Sequence, residues 1–127
     1  MTQGMEAITT AALSLALDAA SLRQQAIATN IANANTPGYA PLGVSFEDQL
    51  EDARRALDTG GRLDAESLSG VRPAMQFAMG PGGVPAKTLM DVEAANLAQN
   101  SVHFQALLKG LNRHYQIMSA ATSDGKK

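Results

Sequence analysis

The sequence predicts an all-α fold. Long N- and C-terminal helices pair as an antiparallel, coiled-coil-like hairpin, and an irregular middle segment containing Gly and Pro joins them. Three observations predict it. Residues 5–34 hold neither Gly nor Pro, and ten of these thirty are Ala, the best helix former. Apolar residues recur at alternating spacings of three and four near both ends of the chain. All five prolines and eight of the eleven glycines fall between Asn35 and Leu89, which divides the helix-forming sequence in two. The 127 residues then form one domain: a helix over 5–34, an irregular middle over 35–89 with a short helix near 46–57, and a second long helix over 88–119.

The first helix carries two apolar seams. One runs through Ile8, Ala12, Leu15, Ala19, Leu22, Ala26 and Thr29. The other, about 100° around the helix, runs through Leu13, Leu17, Ala20, Gln24, Ile27, Ile31 and Ala34, broken only by Gln24. Two adjacent seams form an arc wider than one partner helix covers, so neighbours are expected on several sides. The remaining face, Ser14, Asp18, Ser21, Gln25, Ala28 and Ala32, is small and nearly neutral.

That helix must stop after Ala34. Pro37 disfavours helical geometry at Thr36, and Asn33 or Asn35 can adopt a left-handed cap. Thr36-Pro37-Gly38-Tyr39 places Pro and Gly at the centre of a type II turn. Asn30 and Asn33 lie before the stop and are not needed for it. A buried amide is costly unless bonded, so they point to a specific contact with another element or subunit.

In the middle, Phe46 to Leu57 reads as a short charged helix with Glu51 and Arg55 as a favourable i,i+4 pair. The Gly- and Pro-containing stretch after it reads as loop, with a short strand or hairpin near Met75 to Met79. The second long helix starts at a Thr88–Asp91 capping-box spacing, with Asp91 and Glu93 favoured by the helix dipole. Its seam reads Met90, Ala94, Leu97, Ser101, Phe104, Leu108, Leu111, Tyr115 and Met118, and it is expected to run through Gly110. Helices of roughly 30 residues are about 45 Å long. A lone hairpin covers one stripe of each helix, while backbone ordering costs about 1–2 kcal/mol per residue. The free monomer is therefore expected to be partly disordered, with neighbouring copies or relatives completing its core.

Composition narrows the function. A net charge of −2 and only five Phe and Tyr residues give no electrostatic or stacking case for nucleic acid. The absence of cysteine removes disulfides, thiol catalysis and cysteine zinc sites. Met1 to Arg23 lacks the basic start of a secretory signal, and its longest uncharged run, eleven residues, is too short for a bilayer, which takes about 20. Export without a cleaved signal peptide and no direct bilayer insertion are expected. The loop "GPGGVPAKT" has Pro81 and Ala86 where a phosphate loop needs glycine. His103 and His114 stand eleven residues apart, about 16 Å along a helix, too far to share a metal. Glu47, Asp48, Glu51 and Asp52 read as a solvated acidic face. Neither catalytic residues nor a cofactor or metal is expected, and the chain does not read as an enzyme.

The segment "QQAIATNIANANTPGY" resembles the signature of flagellar basal-body rod and hook proteins, whose N-terminal helix ends in Asn-(Ile/Leu)-Ala-Asn. The continuation through "TPGY" to Phe46-x-x-x-Leu50 is most similar to proximal rod members of that family. "DVEAANLAQNSVHFQALLKGL" is similar to their C-terminal helix, with Glu93, Leu97, Ala98 and Asn100 in an E-x-x-x-L-A-x-N run before an aromatic-Gln-Ala-Leu segment. The resemblance covers about residues 10–50 and 90–118. It implies a structural subunit that leaves the cell unfolded through the flagellar type III pathway. Copies of it and related rod proteins would stack helically across the periplasm, linking export gate and ring-rod junction proteins to the distal rod and transmitting torque. Subunit-contact residues are then expected at Asn30, Asn33, Thr36, Pro37, Gly38 and Tyr39, and along the seams at Leu15, Leu22, Ile27, Leu97, Phe104 and Leu108. The competing reading is a small helical adaptor or secretion chaperone that holds a client along its apolar stripe.

Overall fold

The computed structural model describes residues 2–58 and 68–125. Residues 59–67, read from the sequence as loop, lie outside the described residues. The elements in order are α1 (Thr2–Ala32), β1 (Leu42–Ser45), α2 (Glu47–Asp58), β2 (Ala74–Phe77), a 3-10 turn at Pro81–Gly83, and α3 (Met90–Asp124).

The two long helices pack against each other. They run antiparallel: Thr10 meets His114 at one end, Leu13 lies beside Gly110, Ala20 bonds Asn100, and Asn30 meets Glu93 at the other end. Each continues further than its sequence pattern indicates at one end, and α3 passes through Gly110 without interruption.

The outward face of α1 is the small, neutral one. Ser14, Asp18, Ser21, Gln25, Ala28 and Ala32 are all exposed. The two seams are covered by different partners. Along the second seam, Leu13, Ala20, Gln24 and Ile27 lie toward α3. On the first seam, Ala19 forms a core with Phe46 and Val71, with Leu15 and Val44 packed against it. The sequence called for neighbours on several sides. One of them is the chain's own middle segment folding back.

The described part of that middle is more regular than its Gly and Pro content implies. β1 and β2 pair antiparallel, Leu42 opposite Phe77 and Ser45 opposite Ala74. The anticipated strand near Met75 is β2. Its partner β1, about 30 residues earlier, has no periodic signal in four residues and was missed. α2 occupies the expected position, and Phe46 stands just before it with its side chain buried. Glu51 and Arg55 approach to 3.9 Å, and Arg55 also lies 3.7 Å from Asp52. Such exposed pairs contribute little to stability.

Three local expectations are corrected. Among the described residues only glycines have positive φ, so neither Asn33 nor Asn35 takes the left-handed cap. The helix closes instead through overlapping turns, Ala34 N to Ile31 O at 3.4 Å and Thr36 N to Asn33 O at 2.9 Å. The capping box at Thr88 does not form: Leu89 occupies the cap position, and the Thr88 hydroxyl is buried without a hydrogen-bond partner. The seam of α3 is also turned. Glu93, Leu97, Asn100, Ser101, Phe104, Leu107, Leu111, His114 and Met118 form its covered face, while Met90, Leu108 and Tyr115 of the expected seam are exposed. Leu97, Ser101, Phe104, Leu111 and Met118 belong to both readings. The alternate positions lie one residue earlier than the apolar pattern places them, because Asn100 and His114 find polar partners on α1.

A polar latch between the helix end and the second helix

The site begins at the stop of α1. Thr36 to Tyr39 form a turn closed by Tyr39 N to Thr36 O at 3.2 Å, with Gly38 at φ +75°. A positive φ at the third position is what a type II turn requires, and Gly adopts it without strain. The turn reverses the chain so that Tyr39 and Leu42 come back over Asn30.

Asn30 is 2% exposed. Its Oδ1 accepts hydrogen bonds from the Tyr39 hydroxyl and the Leu42 amide, both at 2.7 Å. Its Nδ2 donates to the Leu42 carbonyl at 2.9 Å and to Glu93 Oε2 at 3.4 Å. One amide therefore satisfies both backbone groups at the start of β1, the turn tyrosine and the first turn of α3. The sequence allowed Asn30 another element or another subunit as its partner, and within this chain Tyr39, β1 and α3 supply partners. Burial raises the pKa of the Tyr39 hydroxyl above its usual value, and the nearby Glu93 carboxylate raises it further.

Asn33 acts locally. Its Nδ2 donates to the Thr29 carbonyl at 2.9 Å, and its Oδ1 accepts from the Thr36 hydroxyl at 3.4 Å. It is half-buried, whereas Thr36, Pro37 and Gly38 are exposed on the turn.

A second polar group crosses the helix pair. Asn100, buried, donates to the Ala20 carbonyl and to Gln24 Oε1, both at 2.8 Å, and Gln24 Nε2 reaches the Ser101 hydroxyl at 3.3 Å. Gln24, the one interruption in its seam, is thereby explained. Glu93 and Asn100 are the contacts that sequence reasoning left out of the site, although both are fixed positions of the quoted E-x-x-x-L-A-x-N run. Their three- and four-residue offsets from Leu97 place both on the face of α3 that meets α1.

A third contact ties α2 to α1. Arg23 forms an ion pair with Glu47 and lies 6.0 Å from the centre of the Phe46 ring. Gln49 exchanges hydrogen bonds with the backbone of Arg72, Nε2 to O at 3.0 Å and N to Oε1 at 2.9 Å.

Of the seam residues, Ile27 is buried and Leu15, Leu22, Leu97 and Phe104 are half-buried, whereas Leu108 is 43% exposed. The amides of Asn30, Asn33, Gln24 and Asn100 make hydrogen bonds that position elements; among the described residues no group of His, Asp and Glu could hold a metal ion.

This geometry can be set beside known proteins. A family model described as flagella basal body rod protein matches residues 12–39, from the middle of α1 to the tyrosine that closes on Asn30. The flagellar basal body rod protein FlgB of Bacillus subtilis is 30% identical over 118 residues, which cover 87% of this chain and 90% of the relative. The chain belongs to the FlgB family of flagellar basal body rod proteins. The FlgB of Proteus mirabilis is also 30% identical, over 129 residues and the same shares of both chains, and the FlgB of Escherichia coli is 25% identical over 123 residues, 87% of this chain and 89% of its own. As a FlgB-family chain it is a structural component of the rod in the flagellar basal body, and the family is not a known enzyme family. Among the described residues no helix is long and apolar enough to cross a membrane.

Proposed function

We propose that this rod subunit polymerises helically with copies of itself and related rod proteins, joins the membrane ring and export gate to the distal rod across the periplasm, and transmits torque through the paired helices. The observation that supports this is the uncovered side of α3. Only the face toward α1 is shielded, and beside it Leu108, Tyr115 and Ile117 are 43%, 49% and 57% exposed. Burying one such side chain contributes roughly 1.5–3 kcal/mol, so neighbours that cover this stripe stabilise the assembled state over the free chain. The free chain is accordingly marginal, which suits passage through the flagellar type III export channel in an unfolded form.

Contact with neighbours is assigned to the exposed turn at Thr36, Pro37 and Gly38, with Asn33 and Tyr39 shaping it, and to Leu108 on α3. Asn30 and the seam residues Leu15, Leu22, Ile27, Leu97 and Phe104 support those contacts from within. Deleting the chain in its flagellated host, then purifying basal bodies, tests this reading. Loss of the rod, with complementation restoring both rod and motility, is the expected result. Complete rods without the chain, or the chain held in the cytosol on a secreted client, would replace it with the adaptor or chaperone reading.

A further inference from the structure

The small sheet has two edges, and the chain covers them unequally. Leu42 directs its amide and its carbonyl to Asn30, whose side chain stands in for a strand along the outer edge of β1. In an antiparallel ladder, residues whose N–H and C=O point away from each other form a non-hydrogen-bonded pair, and such pairs alternate with bonded ones. Leu42 and Phe77 are therefore one such pair, and Val44 and Met75 are the next. The bond from the Ala78 amide to the Pro41 carbonyl at 2.9 Å fixes the same alternation. The N–H and C=O groups of Met75 and Phe77 thus point out from the far edge of β2, and among the described residues no strand pairs with that edge. All four residues of β2 are exposed, Phe77 by 62%. Nor is the edge guarded: residues 73–86 carry no charge, whereas proteins commonly place charged side chains on an open edge to block pairing.

We propose that β2 pairs antiparallel with β2 of a second copy, across a two-fold axis at Gln76. A symmetric pairing must set the outward-facing residues of the two strands against each other, and only one register does so within the strand. Centring on Met75 puts Phe77 against Pro73, which has no N–H to donate. Centring on Phe77 puts Met75 against Met79, beyond the end of β2, where the chain already turns back with the Gly80 amide on the Val84 carbonyl at 2.7 Å. Centring on Gln76 sets Met75 against Phe77 on both sides of the axis, so each outward residue exchanges both of its hydrogen bonds. The side chains agree with this register. Met75 and Phe77 share the face on which Val44 packs against the Ala19–Phe46–Val71 core, so each gains an apolar cross-strand partner beside that core. The two Gln76 amides meet on the other face. The result is a continuous sheet in the order β1-β2-β2-β1. The contact is isologous and closes at two copies. It belongs to the free chain and stands apart from the rod reading.

The chain has no cysteine of its own, so single introduced cysteines report the register directly. Across the axis the two copies of residue 76 lie about 4.5 Å apart at Cα, within disulfide reach, whereas the two copies of residue 74 are displaced by about 13 Å along the strands, beyond it. Purified Gln76→Cys treated with oxidised glutathione is expected to form a disulfide-linked dimer, and Ala74→Cys to stay unlinked. Met75→Pro removes one outward N–H from each copy and leaves the ladder to β1 intact. Sedimentation velocity is expected to show its self-association weakened about ten-fold or more relative to the wild type. Helical circular dichroism matching the wild type shows that each variant is folded; where Met75→Pro lowers it, the two cysteine variants decide alone. Equal cross-linking of both cysteine variants, cross-linking of neither, or a wild-type chain that sediments as a monomer at its highest soluble concentration overturns the pairing.

Discussion

The Tyr39 hydroxyl donates to Asn30 Oδ1 at 2.7 Å across the turn that ends the first helix. The same oxygen takes the Leu42 amide, and the other side of the Asn30 amide faces two acceptors, the Leu42 carbonyl and Glu93. Helix end, turn, first strand and second helix thus meet at one side chain.

Asn30→Asp should discriminate the two sides of that amide. The donor is replaced by an oxygen that faces the Leu42 carbonyl and the Glu93 carboxylate, and a buried acceptor left without a donor costs about 1–3 kcal/mol. Urea unfolding of the purified chain, followed by helical circular dichroism, is expected to show that loss at neutral pH and a smaller one at acidic pH, where the new carboxyl is protonated. Tyr39→Phe, which leaves the Leu42 bonds intact, should cost only about 0.5–1.5 kcal/mol.

Alkaline stability follows from the same tyrosine. Its folded pKa is raised above the unfolded value near 10, by burial first and by Glu93 second. A group whose folded pKa is raised contributes stability that is fully present below the unfolded pKa and is lost as pH rises through the folded one. Unfolding midpoints measured from pH 8 to pH 11 should therefore fall at the alkaline end, beginning near pH 10, and Tyr39→Phe should flatten that fall. An equal decline in both proteins would remove Tyr39 from the explanation.

Gly110 offers a stabilising change. It sits inside α3, and a Cβ there would meet Leu13 Cδ2 at 3.9 Å, an ordinary contact. Gly110→Ala is expected to raise stability by up to about 1 kcal/mol through helix propensity alone. A decrease would mean that the two helices approach more closely at that point than this spacing.

The crossing between Gln24 and Asn100 should behave as a coupled pair. A double-mutant cycle with Gln24→Ala and Asn100→Ala is expected to return a coupling of about 0.5–1.5 kcal/mol, since each loses the same 2.8 Å bond. Additive effects would show that the Ala20 carbonyl, not Gln24, holds Asn100.

The sequence was informative where hydrophobicity sets the face and silent where hydrogen bonds set it. On α1 a wide apolar arc leaves one small, neutral side, and Ser14, Asp18, Ser21, Gln25, Ala28 and Ala32 do face outward. On α3, Leu97, Ser101, Phe104, Leu111 and Met118 fit a stripe completed either by Leu108 and Tyr115 or by Asn100, Leu107 and His114. Apolar pattern favoured the first set. The fold uses the second, because Asn100 bonds to Ala20 and Gln24, and His114 lies 3.1 Å from the Thr10 hydroxyl. The turn at Pro37 and Gly38 was legible from backbone chemistry. β1 was not, because its pairing rests on a partner far along the chain. The amides at Asn30 and Asn33 were marked as needing partners, yet only coordinates could separate the Asn30 latch from the local bonds of Asn33.

The most direct measurement is a side-chain-resolution cryo-EM map of basal bodies purified from the host. The chain should appear in the rod with its helices paired as described, Asn30 latched to Tyr39, and Leu108 and Tyr115 covered by a neighbouring subunit. A rod in which this chain is present but leaves Leu108 and Tyr115 facing water, or from which it is missing, would contradict the claim that neighbours complete its core.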